Sequence, residues 1–318
     1  MDRPEKIHLA TWPSPLEASP RLAIALGLRA GDLWFKRDDL TGLAGGGNKL
    51  RKLEYTCAKA LAEGAKTLVT VGAAQSNHAR LTAAAGAKLG LHVVLVLAGN
   101  RPTDFTGNLA LNGLLGAEML WAGDVDDLAL EERARQEVRR LEEEGTPVAF
   151  IPFGGSSSIA AHGYADCGDE LKVQAPNLAH VFTAVGSGGT MAGLVHSLGG
   201  TRVHGVDAGA VSDPEQRVRA LISAMAKEDY SEPLSIRGDQ VGLGYAYLTE
   251  PVEEALQLVA RYGGIILDPI YTGRAFAGLI AAVREGLVRP GEQTIFLHSG
   301  GLPGFFGNPE ILHLTGQR

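Results

Sequence analysis

The chain has 318 residues, of which 45% are hydrophobic, so it is long enough for one large domain or two ordinary ones with a substantial core. Its formal net charge is −7 at pH 7 and it contains no basic block, which argues against a nucleic-acid-binding surface. No apolar run has the length of a membrane span, and the first residues lack the apolar core of a signal peptide, so we expect a cytoplasmic protein without membrane contact.

Short aliphatic or β-branched runs alternate with longer amphipathic runs along most of the chain, after a short predicted helix at 21–28. The predicted strands are 33–36, 67–72, 92–97, 118–121, 147–152, 180–185, 202–206, 265–267 and 294–298. The predicted helices include 48–63, 76–89, 128–144 and 191–198. This alternation favours parallel sheets with helices on both faces. Nine strands indicate two such units, so we predict an α/β fold with two open, mostly parallel sheets.

A glycine-rich loop precedes the helix predicted at 48–63. Gly45, Gly46 and Gly47 leave little side-chain bulk, so a flat or anionic group has room to lie against the backbone. Asn48 is a candidate N-cap, which places Lys49 in the first helical turn. The positive end of a helix disfavours a protonated ammonium, so the pKa of Lys49 should be low, as Schiff-base chemistry requires. A solvated lysine beside a glycine-rich loop is the alternative.

A second glycine-rich junction, from Gly186 to Thr190, follows the strand predicted at 180–185 and opens the helix at 191–198. Small residues with free N–H groups at a helix N-terminus form an anion site, best suited to a phosphate. A dinucleotide fingerprint is the alternative, since Asp207 follows Gly186 and Gly188 at about the required distance. Met191 stands where that fingerprint has Gly or Ala, which disfavours nicotinamide binding.

Polar residues also follow other predicted strands, at the edge where open parallel sheets bind ligands. They are Ser76 and Asn77, Tyr271 and Thr272, and His298 and Ser299. Ser76 has a plain alternative role as an N-cap, and His298 alone is more often structural than catalytic.

Two classes of site are not indicated. No Gly-x-Ser-x-Gly elbow occurs, so a hydrolase is disfavoured. The nine histidines show no metal-binding spacing, so we expect no metal. Cys57 and Cys167 are far apart in the sequence and should be buried thiols in a reducing compartment.

Together these segments resemble the D-cysteine desulfhydrase and 1-aminocyclopropane-1-carboxylate deaminase family of fold-type-II pyridoxal-phosphate enzymes, over about residues 12–307. The most specific parts are Gly46-Gly-Asn-Lys49-x-Arg51-Lys52-Leu-Glu-Tyr55 and Gln75-Ser-Asn77. The resemblance implies pyridoxal 5′-phosphate as the cofactor, bound between two domains. Residues 1–51 and 161–318 would form the large domain, residues 52–160 a small inserted one, and the protein would be a homodimer.

The resemblance also implies a role for each candidate residue. Lys49 would bind the cofactor covalently, Ser76 and Asn77 would meet substrate and ring, and Tyr271 and Tyr245 would be acid/base candidates. The cofactor phosphate would lie on Gly186, Ser187, Gly188, Gly189 and Thr190, and the ring nitrogen would face Thr272 and Ser299.

Two departures from the family pattern bear on the substrate. Deaminase-type members have a glutamate at the position of Thr272, whereas desulfhydrase-type members have threonine, as this chain does. In addition, Ala246 follows Tyr245 where the family has glycine. We therefore predict β-elimination from a small amino acid, first D-cysteine, to pyruvate, hydrogen sulfide and ammonia. Aminocyclopropane carboxylate deamination and cysteate sulfo-lyase activity are the alternatives on the same scaffold. A non-catalytic bilobal amino-acid-binding protein is the alternative from a different class.

Overall fold

The computed structural model describes residues 3–315, in which ten strands alternate with eleven α-helices. The strands are β1 (Leu16–Ala18), β2 (Leu33–Arg37), β3 (Thr67–Gly72), β4 (His92–Leu97), β5 (Glu118–Trp121), β6 (Val148–Ile151), β7 (Leu178–Val185), β8 (Val203–Asp207), β9 (Ser235–Arg237) and β10 (Gln293–His298). The helices are α1 (Pro20–Ala25), α2 (Lys49–Ala62), α3 (Asn77–Leu89), α4 (Gly107–Leu114), α5 (Asp127–Glu143), α6 (Ser158–Gln174), α7 (Gly189–Leu198), α8 (Pro214–Ala226), α9 (Glu250–Leu258), α10 (Thr272–Arg284) and α11 (Leu302–Phe306). In this part of the chain no helix is long and apolar enough to cross a membrane.

The strands form two open sheets, which confirms the predicted fold class. The larger sheet has the order β1-β2-β10-β7-β8-β9, and only the β1–β2 pair is antiparallel. The smaller sheet has the order β5-β4-β3-β6 and is wholly parallel. All four of its strands lie within 52–160, the range predicted for the inserted domain. The division into domains itself stays a prediction.

Helices cover both faces of each sheet. In the larger sheet, α1, α9 and α10 pack on one face and α6, α7 and α8 on the other. In the smaller sheet, α2, α3 and α4 pack on one face and α5 on the other. This double cover explains why a central strand such as β3, Thr-Leu-Val-Thr-Val-Gly, is buried along its whole length. Charge-rich α5 keeps only a narrow apolar stripe buried, as a helix on the surface does.

The strand prediction was wrong at three places. Residues 265–267 are not a strand: the Ile266 carbonyl oxygen lies 3.0 Å from Nε2 of His298, a side-chain partner instead of a neighbouring strand. β1 and β9 were missed because each is a three-residue edge strand, too short to show a periodic pattern.

The two predicted helix caps have different outcomes. The Ser76 side chain accepts a hydrogen bond from the Ala79 backbone N–H at 3.1 Å, so Ser76 caps α3. The Asn48 prediction was wrong, since its side chain makes no capping bond and instead donates through Nδ2 to Thr190 Oγ1 at 3.1 Å. Asn48 therefore links the two glycine-rich junctions.

Candidate active site

Polar residues from the carboxyl ends of both sheets meet in one cavity, as expected for open parallel sheets. Loops after β2, β3, β6, β7 and β10 supply most of its wall. We call it the inner cavity, and the residues that line it are Asn48, Lys49, Lys52, Ser76, Asn77, His78, Phe153, Gly154, Ala184, Gly186, Ser187, Gly188, Thr190, Tyr271 and Ser299.

The glycine-rich loop before α2 packs against the end of β10. The Asn48 backbone N–H donates to the Ser299 carbonyl oxygen at 2.9 Å. Gly46 has φ of +65°, and a Cβ there would collide with the Asp39 carbonyl oxygen, so this position requires glycine. The close packing of loop and strand end places the first turn of α2 at the cavity wall.

Lys49 projects from that first turn into the inner cavity. Its Nζ donates to the Gly154 carbonyl oxygen at 3.1 Å, and it makes no ion pair with any residue between 3 and 315. Burial lowers the pKa of Lys49 to about 8. The direction is the one predicted from the sequence, although burial is the main cause. At neutral to mildly basic pH a substantial fraction of the amine is therefore available as a nucleophile.

Lys52 is a site residue to which sequence reasoning assigned no role. It lies one turn after Lys49 on the same helix face, and its Nζ donates to Ser156 Oγ at 2.9 Å. Its side chain is fully buried and has no carboxylate partner among the described residues, and burial followed by the charge of Lys49 lowers its pKa well below the usual value. The spacing Lys-x-x-Lys was the available signal. Two neighbouring cations without an anion indicate that the ligand carries negative charge.

The junction from Gly186 to Thr190 lies beside Lys52, and its Gly189 backbone N–H donates to Ser156 Oγ at 3.2 Å. A Cβ on Gly189 would lie 2.6 Å from the same oxygen, so only glycine lets the start of α7 approach this closely. Ser187 Oγ lies 2.8 Å from Ser156 Oγ. Ser156 was missed because it follows β6 without any recognisable motif. The N-terminal amides of α7, two hydroxyls and Lys52 together form a cradle for an anion.

Three side chains from the start of α3 line the opposite wall. Ser76 and Asn77 do so as predicted, and His78 is an addition. Thr70 donates its hydroxyl to the Ile151 carbonyl oxygen, so it accepts from His78 Nε2 at 2.8 Å. Burial, together with the charges of Lys49 and Lys52, lowers the pKa of His78 well below its usual value. His78 is therefore neutral, with its hydrogen on Nε2.

Tyr271 lines the inner cavity and, together with Tyr245, an adjoining outer chamber. The two phenolic oxygens are 2.9 Å apart, and burial raises the pKa of both hydroxyls, which keeps them protonated. The outer chamber is lined by Ala73, Ser76, Ala98, Asp127, Leu130, Phe153, Gly209, Ala210, Tyr245 and Tyr271. The structure thus brings Ser76, Tyr271 and Tyr245 to one passage.

Thr272 does not line the inner cavity. It is fully buried, and its hydroxyl lies 2.7 Å from Asp268 Oδ1 and 2.8 Å from the Asp268 backbone nitrogen. Asp268 also accepts from the backbone N–H groups of Tyr271 and Thr272 at 2.9 Å each. The Thr272 hydroxyl thus helps to hold the turn that carries Tyr271, and its assignment to the ring nitrogen stays a prediction. Of the two predicted hydroxyls, only Ser299 lines the inner cavity.

The residues present fit pyridoxal 5′-phosphate. A phosphate suits the cradle beside Lys52, whose burial without an anion is otherwise unfavourable. An aldehyde suits a lysine amine whose pKa is about 8. Ser299 and Asn77 line the same cavity and offer polar groups to a heteroaromatic ring.

The comparisons with known proteins agree with this chemistry. A family model described as "Pyridoxal-phosphate dependent enzyme" matches residues 7–300. The chain belongs to this enzyme family, and its cofactor is pyridoxal 5′-phosphate. A Pyrococcus furiosus protein named "Putative 1-aminocyclopropane-1-carboxylate deaminase" is 35% identical over 95% of this chain and 93% of its own length. Membership in an enzyme family removes the support for a non-catalytic binding protein.

Solved structures show the same fold. A crystal structure described as an ACC deaminase homologue matches with a TM-score of 0.89 and 34% identity, over 98% of this chain and 96% of that one. Threonine deaminase isoform 2 from Solanum lycopersicum matches with a TM-score of 0.66 and 20% identity, over 95% and 82%. A threonine deaminase from T.th. matches with a TM-score of 0.61 and 26% identity, over 91% and 92%. The family is thus of the fold-type-II kind that the sequence resembles.

Proposed function

We propose that this enzyme eliminates the β-substituent of a small amino acid, with D-cysteine as the substrate. D-Cysteine and water yield pyruvate, hydrogen sulfide and ammonia. One observation carries the choice of elimination: among the described residues that line the inner cavity there is no carboxylate. Ser299 offers a hydroxyl to the ring, and a hydroxyl does not hold a protonated ring nitrogen as an ionised carboxylate does.

The bound cofactor supplies an electron sink for the electrons released at the α-carbon. A ring that is not held in its protonated form is a weaker sink, which suits a substrate whose β-group leaves as the α-proton is taken. Cyclopropane opening has no such departing group. The absence of a carboxylate therefore favours thiol elimination over the aminocyclopropane carboxylate activity that the names of two relatives contain.

The roles of the protein groups follow from their protonation. Lys49, with a pKa of about 8, takes the α-proton in its neutral form. Tyr271 and Tyr245 stay protonated, so one phenol donates to the other and the second has its hydrogen free to donate to a departing thiolate. Ser76 accepts its capping bond through Oγ, which leaves its hydroxyl hydrogen free for a substrate carboxylate.

The outer chamber disfavours a substrate with a second anionic group. Asp127 is the one charged side chain among the described residues that line it, and the remainder are small, aliphatic or aromatic. A sulfonate would find no cation among these lining residues, and the negative charge of Asp127 would repel it. This arrangement supports a neutral thiol over cysteate.

The test is a pyruvate and sulfide assay on both cysteine enantiomers, cysteate, serine and β-chloroalanine, with an ammonia assay on aminocyclopropane carboxylate. We expect the highest kcat/KM for D-cysteine. Ser76→Ala and Tyr271→Phe should keep the visible absorbance of the bound cofactor and lose about 10²-fold or more in turnover. If wild type opened the cyclopropane substrate faster than it consumed D-cysteine, the proposal would be wrong.

The proposal includes a cytoplasmic homodimer. The structural support for the dimer is two exposed apolar side chains on the contacting helices α4 and α11: Leu114 is 84% exposed and Phe306 is 71% exposed. Sedimentation of wild type and Phe306→Glu tests it, and a monomeric wild type would contradict it.

A further inference from the structure

Asn77 belongs to a network of four polar side chains that joins α3, α4 and the glycine-rich loop. The four are Gln75, Asn77, Arg80 and Asn108. Asn108 and Arg80 are fully buried, and neither lines the inner cavity. The direction of every hydrogen bond in the network is determined by partners that only donate or only accept.

The first partner whose hydrogen-bond role is fixed is a carbonyl group. Asn108 Nδ2 lies 2.8 Å from the Gln75 carbonyl oxygen, which only accepts, so this atom of Asn108 must be the amide nitrogen. The same Nδ2 lies 3.0 Å from the Asn77 side chain. The Asn77 atom that faces it must therefore be Oδ1.

The second partner whose hydrogen-bond role is fixed is a guanidinium group. Arg80 only donates, and its Nη2 lies 3.5 Å from the same Asn77 oxygen. The Arg80 guanidinium also donates to the carbonyl oxygens of Ala44 and Gly46, in the loop before Lys49. Both neighbours thus require the oxygen of the Asn77 amide to point away from the cavity.

The remaining atom of that amide is Nδ2. No hydrogen bond among residues 3–315 uses it, and it does not belong to the buried atoms that lack a partner. Since Asn77 lines the inner cavity, Nδ2 is the polar atom that this side chain offers there. A donor at this place matches an acceptor oxygen on the cofactor ring.

We propose that Asn108, supported by Arg80, is a positioning residue that holds the Asn77 amide with its N–H₂ group towards the cofactor. Asn108 keeps this orientation although its own Oδ1 is buried without a partner among the described residues. The inference rests on the cofactor and is independent of which β-substituent leaves.

The decisive variant is Asn108→Asp, which has the same shape and only accepts. Its carboxylate faces the Asn77 oxygen at the shorter of the two contacts, 3.0 Å against 3.5 Å for Arg80, so repulsion by the carboxylate outweighs the Arg80 contact. The Asn77 amide then rotates to donate to the carboxylate and presents Oδ1 to the cavity. We expect the dissociation constant of the cofactor, measured by dialysis of the holoenzyme, to rise about tenfold. Loss of the donor should also raise the pH at which the ring hydroxyl of the bound cofactor ionises, measured from its absorbance spectrum.

A matched control is Asn112→Asp, on the same helix and equally buried, whose amide makes no hydrogen bond to the network. It should lower the thermal midpoint at least as much and leave cofactor binding within about twofold. If it weakened cofactor binding as much as Asn108→Asp, helix destabilisation would explain both results and the proposal would be overturned.

A double-mutant cycle separates positioning from general damage. In an Asn77→Ala background, Asn108→Asp should cause no further loss of cofactor affinity, because the group through which it acts is gone. An undiminished loss in that background would refute the proposal. If Asn108→Asp failed to fold, the neutral Asn108→Leu would take its place in the cycle with the same two outcomes.

Discussion

Helix α2 carries three cationic side chains within its first turn, and their surroundings are opposite. Arg51 donates to Asp38 at 2.8 and 2.9 Å and to Glu170 at 2.8 and 2.9 Å, and its guanidinium carbon lies 4.0 Å from the Trp12 ring centre. Lys49 and Lys52, on the neighbouring face, have no ion-pair partner between residues 3 and 315. The paired cation anchors the helix, whereas the two lysines keep their charge only beside an anion from outside the chain, because burial otherwise favours their neutral forms.

The difference shows how to distinguish structural from functional buried charge. Although burial opposes its ionisation, Asp38 has a pKa below its usual value because Arg51 and two hydroxyl donors stabilise the carboxylate. No such partner compensates Lys52, whose pKa is lowered by burial and by Lys49. Four changes test this comparison.

The largest effect is expected from Lys49→Ala. Turnover should fall by about 10³-fold or more, because the group that we propose to bind the cofactor and move the α-proton is lost. The fold should persist, since the Lys49 side chain makes one hydrogen bond within the described part of the chain, to the Gly154 carbonyl oxygen. Borohydride reduction of wild type, followed by peptide mapping, should leave the cofactor on the Lys49 peptide. Label on Lys52 instead would contradict the assignment.

Asp38→Asn removes one of the two carboxylate partners of Arg51, the paired cation of α2. It leaves the buried Arg51 only partly compensated by Glu170, so the free energy of unfolding should fall by about 3 kcal/mol. Urea unfolding of the apoprotein measures it. A loss below about 1 kcal/mol would show that the Arg51 cluster does not anchor α2 in this way.

Lys52→Met should act with the opposite sign on stability. Removal of an unpaired buried cation should leave the unfolding free energy of the apoprotein unchanged or raise it by about 1 kcal/mol. The affinity for the cofactor should fall about 10- to 100-fold, because a charged hydrogen bond to the phosphate is lost. Lys59→Met is the matched control on the same helix: its exposed pair with Glu63, at 3.7 Å, should matter by less than about 0.5 kcal/mol. Equal cofactor affinity in both variants would contradict a role of Lys52 in binding the cofactor.

The smallest effect, taken per pH unit, is a pH dependence of the unfolding free energy. The pKa of Lys49 is about 8 in the fold against 10.5 for a free lysine, so the unfolded chain binds more protons between these values. The unfolding free energy of the apoprotein should therefore rise with pH across this window, by at most about 1.4 kcal/mol per unit. Lys49→Met should flatten the rise and Lys59→Met should not. A rise of equal size in Lys49→Met would assign the effect to other groups.

Most strands and the principal site were predictable because they depend on local pattern. Buried parallel strands such as β3 and β4 are continuous apolar runs, and the two glycine-rich junctions each follow or precede such an element. The errors have a common cause. The segment 265–267 has strand-like residues but no neighbouring strand, and Asn48 has a capping residue type but a partner in a distant loop. Hydrogen-bond partners far along the chain are not encoded in a local pattern.

By itself, the sequence determined the α/β fold, because hydrophobic period carries that property, and its resemblance to a known family implied the family and the cofactor. Only the tertiary structure decided which polar groups reach the cavity. It brought Lys52 and Ser156 together across 104 positions, and it turned Thr272 towards Asp268. The physical reason is that a buried polar group is satisfied by whichever partner the packing places within hydrogen-bond distance, and that partner is set by the whole fold.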